Sequence, residues 1–267
     1  PMALRLADKS GCAVYGCDIV PAAMDAFASM GGIPEPDSAA LLENSDVVFL
    51  SLPGNALVQE TLTDAVRRCR RGTVVVDTSS SLPAVIQSCA AARGVELIDC
   101  PVSGGAEAAA EGRLSAMCGG SETALARVSP LLACFAARVT HMGSLGSGYA
   151  AKLINNLIVG GEITLIAEAL GLARKAGLDM ARLLEALSGG AASSPVLSLK
   201  GGRMISGDYT PSSRVLIHLK DQRNAQELAR ALGAAIPACD LSTALLGQLA
   251  DMGRGGEDVA AVIDLFA

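Results

Sequence analysis

Residues 46–52, Asp46-Val47-Val48-Phe49-Leu50-Ser51-Leu52, form one continuous apolar run that stops at Pro53-Gly54. Two more runs follow, Thr73-Val74-Val75-Val76-Asp77 and Glu96-Leu97-Ile98-Asp99, with helical stretches between them around 56–68 and 82–93. Such runs show no alternation of apolar and polar residues, so both faces of each strand must be covered. Helices between successive strands cover both faces only when the strands run parallel. Upstream, residues 2–9 read as a helix closed by Ser10-Gly11. Residues 13–17 read as a strand ending at Asp18, and 21–30 as an alanine-rich helix. The front of the chain is therefore α/β, with a parallel sheet.

After about residue 142 the pattern changes. Residues 141–148 (HMGSLGSG) read as a glycine-rich linker, and from 149 to 176 runs one apolar helix, roughly 40 Å long at 1.5 Å per residue. Helices are expected again at 179–188, 195–206, 212–233, 240–251 and from about 257, with no strand among them. The small residues Gly160, Gly161, Ala167, Ala169, Gly171 and Ala173 would let other backbones approach the long helix closely. The expected organisation is an α/β domain over 1–142 and an all-helical domain over 143–267.

Composition excludes several classes. The net charge of −6 offers no basic face for nucleic acid. Eight scattered cysteines, no CxxC and two histidines give neither a disulfide framework nor a metal site; reduced thiols are expected. Lys152, Glu162 and Glu168 interrupt the long helix, which argues against a membrane span, and no signal peptide is recognisable. A cytoplasmic protein without a membrane partner is expected.

In a doubly wound, Rossmann-type fold, an acidic residue ending the second strand can accept hydrogen bonds from the adenosine ribose of NAD. Asp18 fits that place, although it could equally cap the helix that begins after Val20. Residues 15–20 hold no arginine or lysine for a 2′-phosphate, which favours NAD over NADP. The G-x-G-x-x-G turn should precede the first helix. That helix begins at about Pro1 with no strand or turn before it, so the sequence is expected to be a piece of a longer chain. Taken alone, it would bind NAD weakly.

Three stretches carry candidate chemistry. Asp99-Cys100-Pro101-Val102-Ser103-Gly104-Gly105 follows a strand, and its hydroxyl and exposed glycine amides would suit a carboxylate, or simply make a turn. Lys152, Asn155 and Asn156 share one helix face. A lysine partly buried there would exchange protons readily with a hydroxyl, while an exposed helix start is the plainer alternative. Lys220-Asp221 alone is an ordinary surface pair.

Taken in order, these motifs resemble the 3-hydroxyisobutyrate dehydrogenase, or β-hydroxyacid dehydrogenase, family related to 6-phosphogluconate dehydrogenase. Asp99–Gly105 matches D-x-P-V-S-G-G. Gly143, Gly146, Gly148, Lys152, Asn155 and Asn156 match G-x-x-G-x-G-x-x-x-K-x-x-N-N, and Lys220-Asp221 matches the later K-D pair. Leu52-Pro53, Asp77-Thr78-Ser79-Ser80 and the segment from Gly253 to Ala261 look like further family features. The resemblance implies hydride transfer between NAD and a small hydroxy acid, with Lys152 as catalytic acid/base. It implies that Ser103, Gly104 and Gly105 hold the substrate carboxylate and that Asn156 orients the substrate. Leu52, Pro53, Ser80 and Lys220 would line the cofactor beside Asp18. Ser80 stands where threonine is common. Gln222, Arg223 and Asn224 replace apolar residues, leaving Arg223 either to meet a second polar substrate group or to face water. Substrates of the 3-hydroxyisobutyrate or four-carbon sugar-acid type are expected. The alternatives are an NADPH-dependent semialdehyde reductase and a non-catalytic family member. A homodimer or homotetramer is expected.

Overall fold

The computed structural model describes residues 1–89 and 94–266. The chain forms two compact units, Pro1–Lys152 and Leu153–Ala267. In order, the first contains α1 (Met2–Lys9), β1 (Tyr15–Gly16), α2 (Pro21–Ser29), β2 (Ile33–Pro34), α3 (Ser38–Asn44) and β3 (Val47–Leu50). It continues with α4 (Asn55–Arg68), β4 (Val74–Asp77), α5 (Pro83–Cys89), β5 (Glu96–Asp99) and β6 (Val102–Ser103). Then come α6 (Gly105–Glu111), β7 (Leu114–Gly119), α7 (Glu122–Leu132), β8 (Ala136–Gly143) and the start of α8 (Ser147–Lys175). The expected end of the 82–93 helix, residues 90–93, lies outside the described residues.

β3, β4 and β5 are parallel neighbours, in the register Leu50↔Asp77↔Asp99. Val74, Val75 and Val76 of β4 are all fully buried, and they point alternately into two cores. Val74 and Val76 meet Leu6, Leu132 and Phe135, whereas Val75 meets Val58, Leu62 and Ile86. Two-sided burial, worth about 1.5–3 kcal/mol for each such side chain, explains why these strands lack polar alternation.

The expected Rossmann-type parallel sheet is present as β3–β4–β5, and an antiparallel strand is added beside it. β7 runs antiparallel to β5 and β6 and parallel to β8, so the six-stranded sheet is mixed. β1 and β2 form a separate parallel pair. β1 is also shorter than the run 13–17. The expected linker shrinks too: residues 141–143 belong to β8, and 147–148 are already helical.

The second unit holds the rest of α8, then α9 (Met180–Ser188), α10 (Pro195–Ser206), α11 (Val215–Leu232), α12 (Pro237–Asp251) and a 3₁₀ helix (Val259–Phe266). Asp179 and Ser194 cap α9 and α10 by accepting backbone N–H groups. By length and composition α8 could cross a bilayer, but Ile163, Ala167 and Leu170 lie in the core of this unit with Met204, Leu219 and Leu249. The small residues do admit close neighbours. A Cβ on Gly160 would lie 2.2 Å from Gln222 Nε2, and one on Gly171 2.8 Å from the Phe266 carbonyl oxygen.

Asp258, just before the 3₁₀ helix, is wholly buried and accepts from Lys200 Nζ at 2.8 and 2.9 Å. Ser212 Oγ and the amides of Ser212, Ser213 and Ala260 also donate to it. Burial works against the charged carboxylate, but these donors outweigh it and hold Asp258 below the ordinary carboxylate range. The buried pair ties the segment before the 3₁₀ helix to α10.

Candidate active site

The register Leu50↔Asp77↔Asp99 lines up three strand ends. The chain leaves this one edge three times. Leu52 and Pro53 follow β3, Ser80 follows β4, and Ser103, Gly104 and Gly105 follow β5. Leu52 N donates to Ser79 Oγ at 2.8 Å, which joins the first two loops. Six of the residues expected at the site are thereby gathered at one sheet edge, as the edge rule for such folds requires. Pro53, Gly104 and Gly105 are exposed, and Leu52, Ser80 and Ser103 are half-buried. Gly104 and Gly105 have φ of 134° and 76°, so side chains are strongly disfavoured there and the backbone is left bare.

The same edge holds the start of α8. Asp99 is fully buried and accepts the N–H of Gly146 and of Tyr149, both at 2.7 Å. A carboxylate at a helix N-terminus satisfies orphan donors and complements the macrodipole. Burial raises Asp99 above its ordinary range, and these N–H bonds oppose the rise. Tyr149, also fully buried, donates its hydroxyl to Asp77. Asp77 is raised by burial against the hydrogen bonds from Ser79 and Tyr149, while burial and then Asp77 push the phenol well above its usual value. The phenol therefore stays protonated. A Cβ on Gly148 would lie 2.3 Å from the Met117 carbonyl oxygen, so this glycine lets the first turn of α8 rest directly on the β7 backbone. Half-buried Lys152 follows Tyr149 by three residues. Asp77, Asp99 and Tyr149 are thus the anchors of the helix that carries Lys152. Sequence reasoning did not assign Tyr149; the only signal was a lone aromatic immediately after the motif glycines.

In the second unit, two motifs meet. Asn156 Nδ2 donates to Asp221 Oδ2 at 2.8 Å, Asn155 Nδ2 donates to Asn156 Oδ1 at 3.0 Å, and Lys220 Nζ lies 3.0 Å from Asp221 Oδ1. Asp221 therefore connects Asn156 with Lys220. Fully buried Gln222 donates to the Asn156 carbonyl at 2.6 Å and accepts from Cys239 Sγ at 2.9 Å. Arg223 is exposed. The polar departures after Lys-Asp thus do different jobs, Gln222 internal to the fold and Arg223 facing solvent.

Asp18 lies just beyond β1, exposed, and its Oδ1 accepts Val20 N at 2.9 Å in the turn that leads into α2. The carboxylate is thus positioned by its own backbone and open to solvent, which fits a ribose hydroxyl. The bare Gly104-Gly105 backbone and the gathered loop ends likewise fit a nicotinamide nucleotide and a small acid.

Residues 1–143 match the family described as the NAD binding domain of 6-phosphogluconate dehydrogenase, and residues 146–266 match that described as NAD-binding of NADP-dependent 3-hydroxyisobutyrate dehydrogenase. The chain is 34% identical to the 2-hydroxy-3-oxopropionate reductase of Escherichia coli strain K12, over 98% of this chain and 91% of that protein. It is 31% identical to the mitochondrial 3-hydroxyisobutyrate dehydrogenase of Drosophila melanogaster, over 97% and 83%. The solved 3-hydroxyisobutyrate dehydrogenase of Mycobacterium tuberculosis superposes with a TM-score of 0.90 at 28% identity, covering 99% of this chain and 94% of that one. Motifs, strand-end geometry and these likenesses agree: the chain belongs to the 3-hydroxyisobutyrate dehydrogenase family of hydroxyacid oxidoreductases, with a nicotinamide dinucleotide as cofactor.

Proposed function

We propose that the chain moves a hydride between NAD and a small 3-hydroxy acid, with Lys152 as the acid/base. The observation that carries this reading is the Leu50↔Asp77↔Asp99 row, which brings the expected cofactor and carboxylate loops to the edge where Asp99 anchors α8. A bound nicotinamide supplies the hydride acceptor for oxidation and the donor for reduction. Lys152 Nζ takes the hydroxyl proton in oxidation and returns it to the carbonyl oxygen in reduction. Ser103 Oγ and the Gly104-Gly105 amides hold the carboxylate, and Asn156, oriented by Asp221, holds the reacting oxygen. Leu52, Pro53, Ser80 and Lys220 flank the cofactor, and Asp18 accepts from its ribose. A cytoplasmic setting belongs to the same reading.

The likeness to 2-hydroxy-3-oxopropionate reductase supports a second reading, an NADPH-linked reduction of a semialdehyde; exposed Asp18 weighs against a 2′-phosphate. Nicotinamide absorbance, followed with NAD(H) and NADP(H) across hydroxy acids and their semialdehydes, separates the two. Lys152→Ala should lower turnover by about 10²–10⁴-fold while cofactor binding persists. Unchanged turnover would remove Lys152 from the chemistry.

Self-association completes the proposal. Ile154, Ile158, Leu165 and Leu172 are exposed on α8 at spacings of four and seven, which place them along one face. A second copy covering that face would give a dimer or tetramer in light scattering. A monomer would overturn this part alone.

A further inference from the structure

Cys100 and Cys118 are both fully buried, and their sulfurs are 3.0 Å apart. Their placement follows from the register. Asp99 pairs with Gly119 and Val102 with Ala116 across antiparallel neighbours, which sets Cys100 directly opposite Cys118. Met117 N donates to the Pro101 carbonyl, so the Pro101–Met117 pair is a hydrogen-bonded one. The next pair along, Cys100–Cys118, is then a non-hydrogen-bonded pair. Such pairs have Cα atoms about 4.5 Å apart and side chains turned toward one another, within the roughly 4.4–6.8 Å that a disulfide spans. Nothing in the chemistry proposed above uses either thiol.

We propose that Cys100 and Cys118 form a reversible cross-strand disulfide when the protein meets hydrogen peroxide, clipping the strand that leads to Ser103–Gly105 onto β7. One sulfur takes an oxygen atom from the peroxide, and water leaves. The second thiol then attacks that sulfur; the S–S bond forms, the S–O bond breaks, and the departing hydroxide leaves as water with the second thiol's proton. Both sulfurs are oxidised and the peroxide is reduced, in total two thiols and one peroxide giving one disulfide and two waters.

The surroundings decide which reagents can do this. The bond from Cys118, burial and the nearby Asp99 and Asp77 carboxylates all keep Cys100 in its thiol form, so the first step is slow. Burial also shuts out bulky reagents while admitting a molecule scarcely larger than water during local opening. One of the two register shifts in the β7–β8 ladder lies beside Cys118, at Cys118/Gly119. After one sulfur is oxidised, its neighbour is already at contact distance and closure outruns further oxidation.

The test is peptide mapping of the full chain. Cys12 and Cys17 are exposed and are replaced by serine to silence surface chemistry. Protein treated with hydrogen peroxide is denatured in excess alkylating agent and digested with trypsin. Cys100 falls in peptide 94–113 and Cys118 in peptide 114–127, each with a single cysteine. The proposal expects these two peptides joined at a mass two hydrogens below their sum, parted by dithiothreitol and absent from Cys118→Ala. The map of the protein that keeps both Cys100 and Cys118 stands even if that variant does not fold. Full alkylation of both residues after peroxide, or their recovery singly as sulfinic or sulfonic acids, would overturn it.

Discussion

Asp221 touches two expected site residues at once. Its Oδ2 accepts from Asn156 and its Oδ1 faces Lys220. Removing the carboxylate takes the acceptor from the buried Asn156 amide and breaks the Lys220–Asp221 ion pair. Hydrogen bonds to charged groups are worth about 1.5–3 kcal/mol. Asp221→Ala should therefore lower kcat/KM by about 10–100-fold, with the loss seen in steady-state kinetics at unchanged secondary structure. Full activity would make Asp221 a packing residue. Gly148 sits at the opposite extreme, since it bears no chemistry and tolerates no Cβ. The atom it would strike, 2.3 Å away, is the backbone oxygen of Met117, which cannot swing aside. Gly148→Ala should cost at least about 1–3 kcal/mol in urea unfolding, although alanine is the better helix former by about 1 kcal/mol.

Between elements, α8 and α11 meet where Gly160 faces Gln222. Gly160→Ala should destabilise by about 1–3 kcal/mol, and the Gly160→Ala/Gln222→Ala pair should cost less than the sum of the two single changes. Such coupling is expected only of residues in contact, so strict additivity in thermal unfolding would separate them. Legibility also differed element by element. β3, β4 and β5 were readable because residues buried on both faces leave an unbroken apolar run. The later strands were not. β8 is exposed along most of its length, and β7 is built largely of small residues, so neither has a distinctive apolar pattern. Antiparallel β7 follows from pairings that periodicity cannot express. The motif residues were legible as a set, and their three loops do leave one sheet edge. Asp77, Tyr149 and Gln222 were not assigned their roles, because each acts through a partner 65 or more residues away.

For the molecule as a whole, acid stability turns on its buried charges. The unfolded Asp258 carboxyl takes up its proton near pH 4, whereas in the folded chain its donors push that event lower. The contribution is thus fully present above about pH 4 and is lost as the pH falls toward the folded value. Asp258→Asn should weaken the protein by about 3–5 kcal/mol at neutral pH, because Lys200 keeps its buried charge without the opposite charge that compensates it. It should also flatten the fall in stability below pH 4. Urea titrations at several pH values would show equal acid slopes if Asp258 were not responsible. The grip of Asp99 on the first turn of α8 has a consequence on another clock. Opening turns of helices ordinarily let deuterium in early, since their amides face water. The Gly146 and Tyr149 amides instead end on a carboxylate sealed inside the sheet edge. In heavy water they should hold their protons about as long as the β4–β5 ladder, and the day they exchange would date the unfolding of the sheet itself.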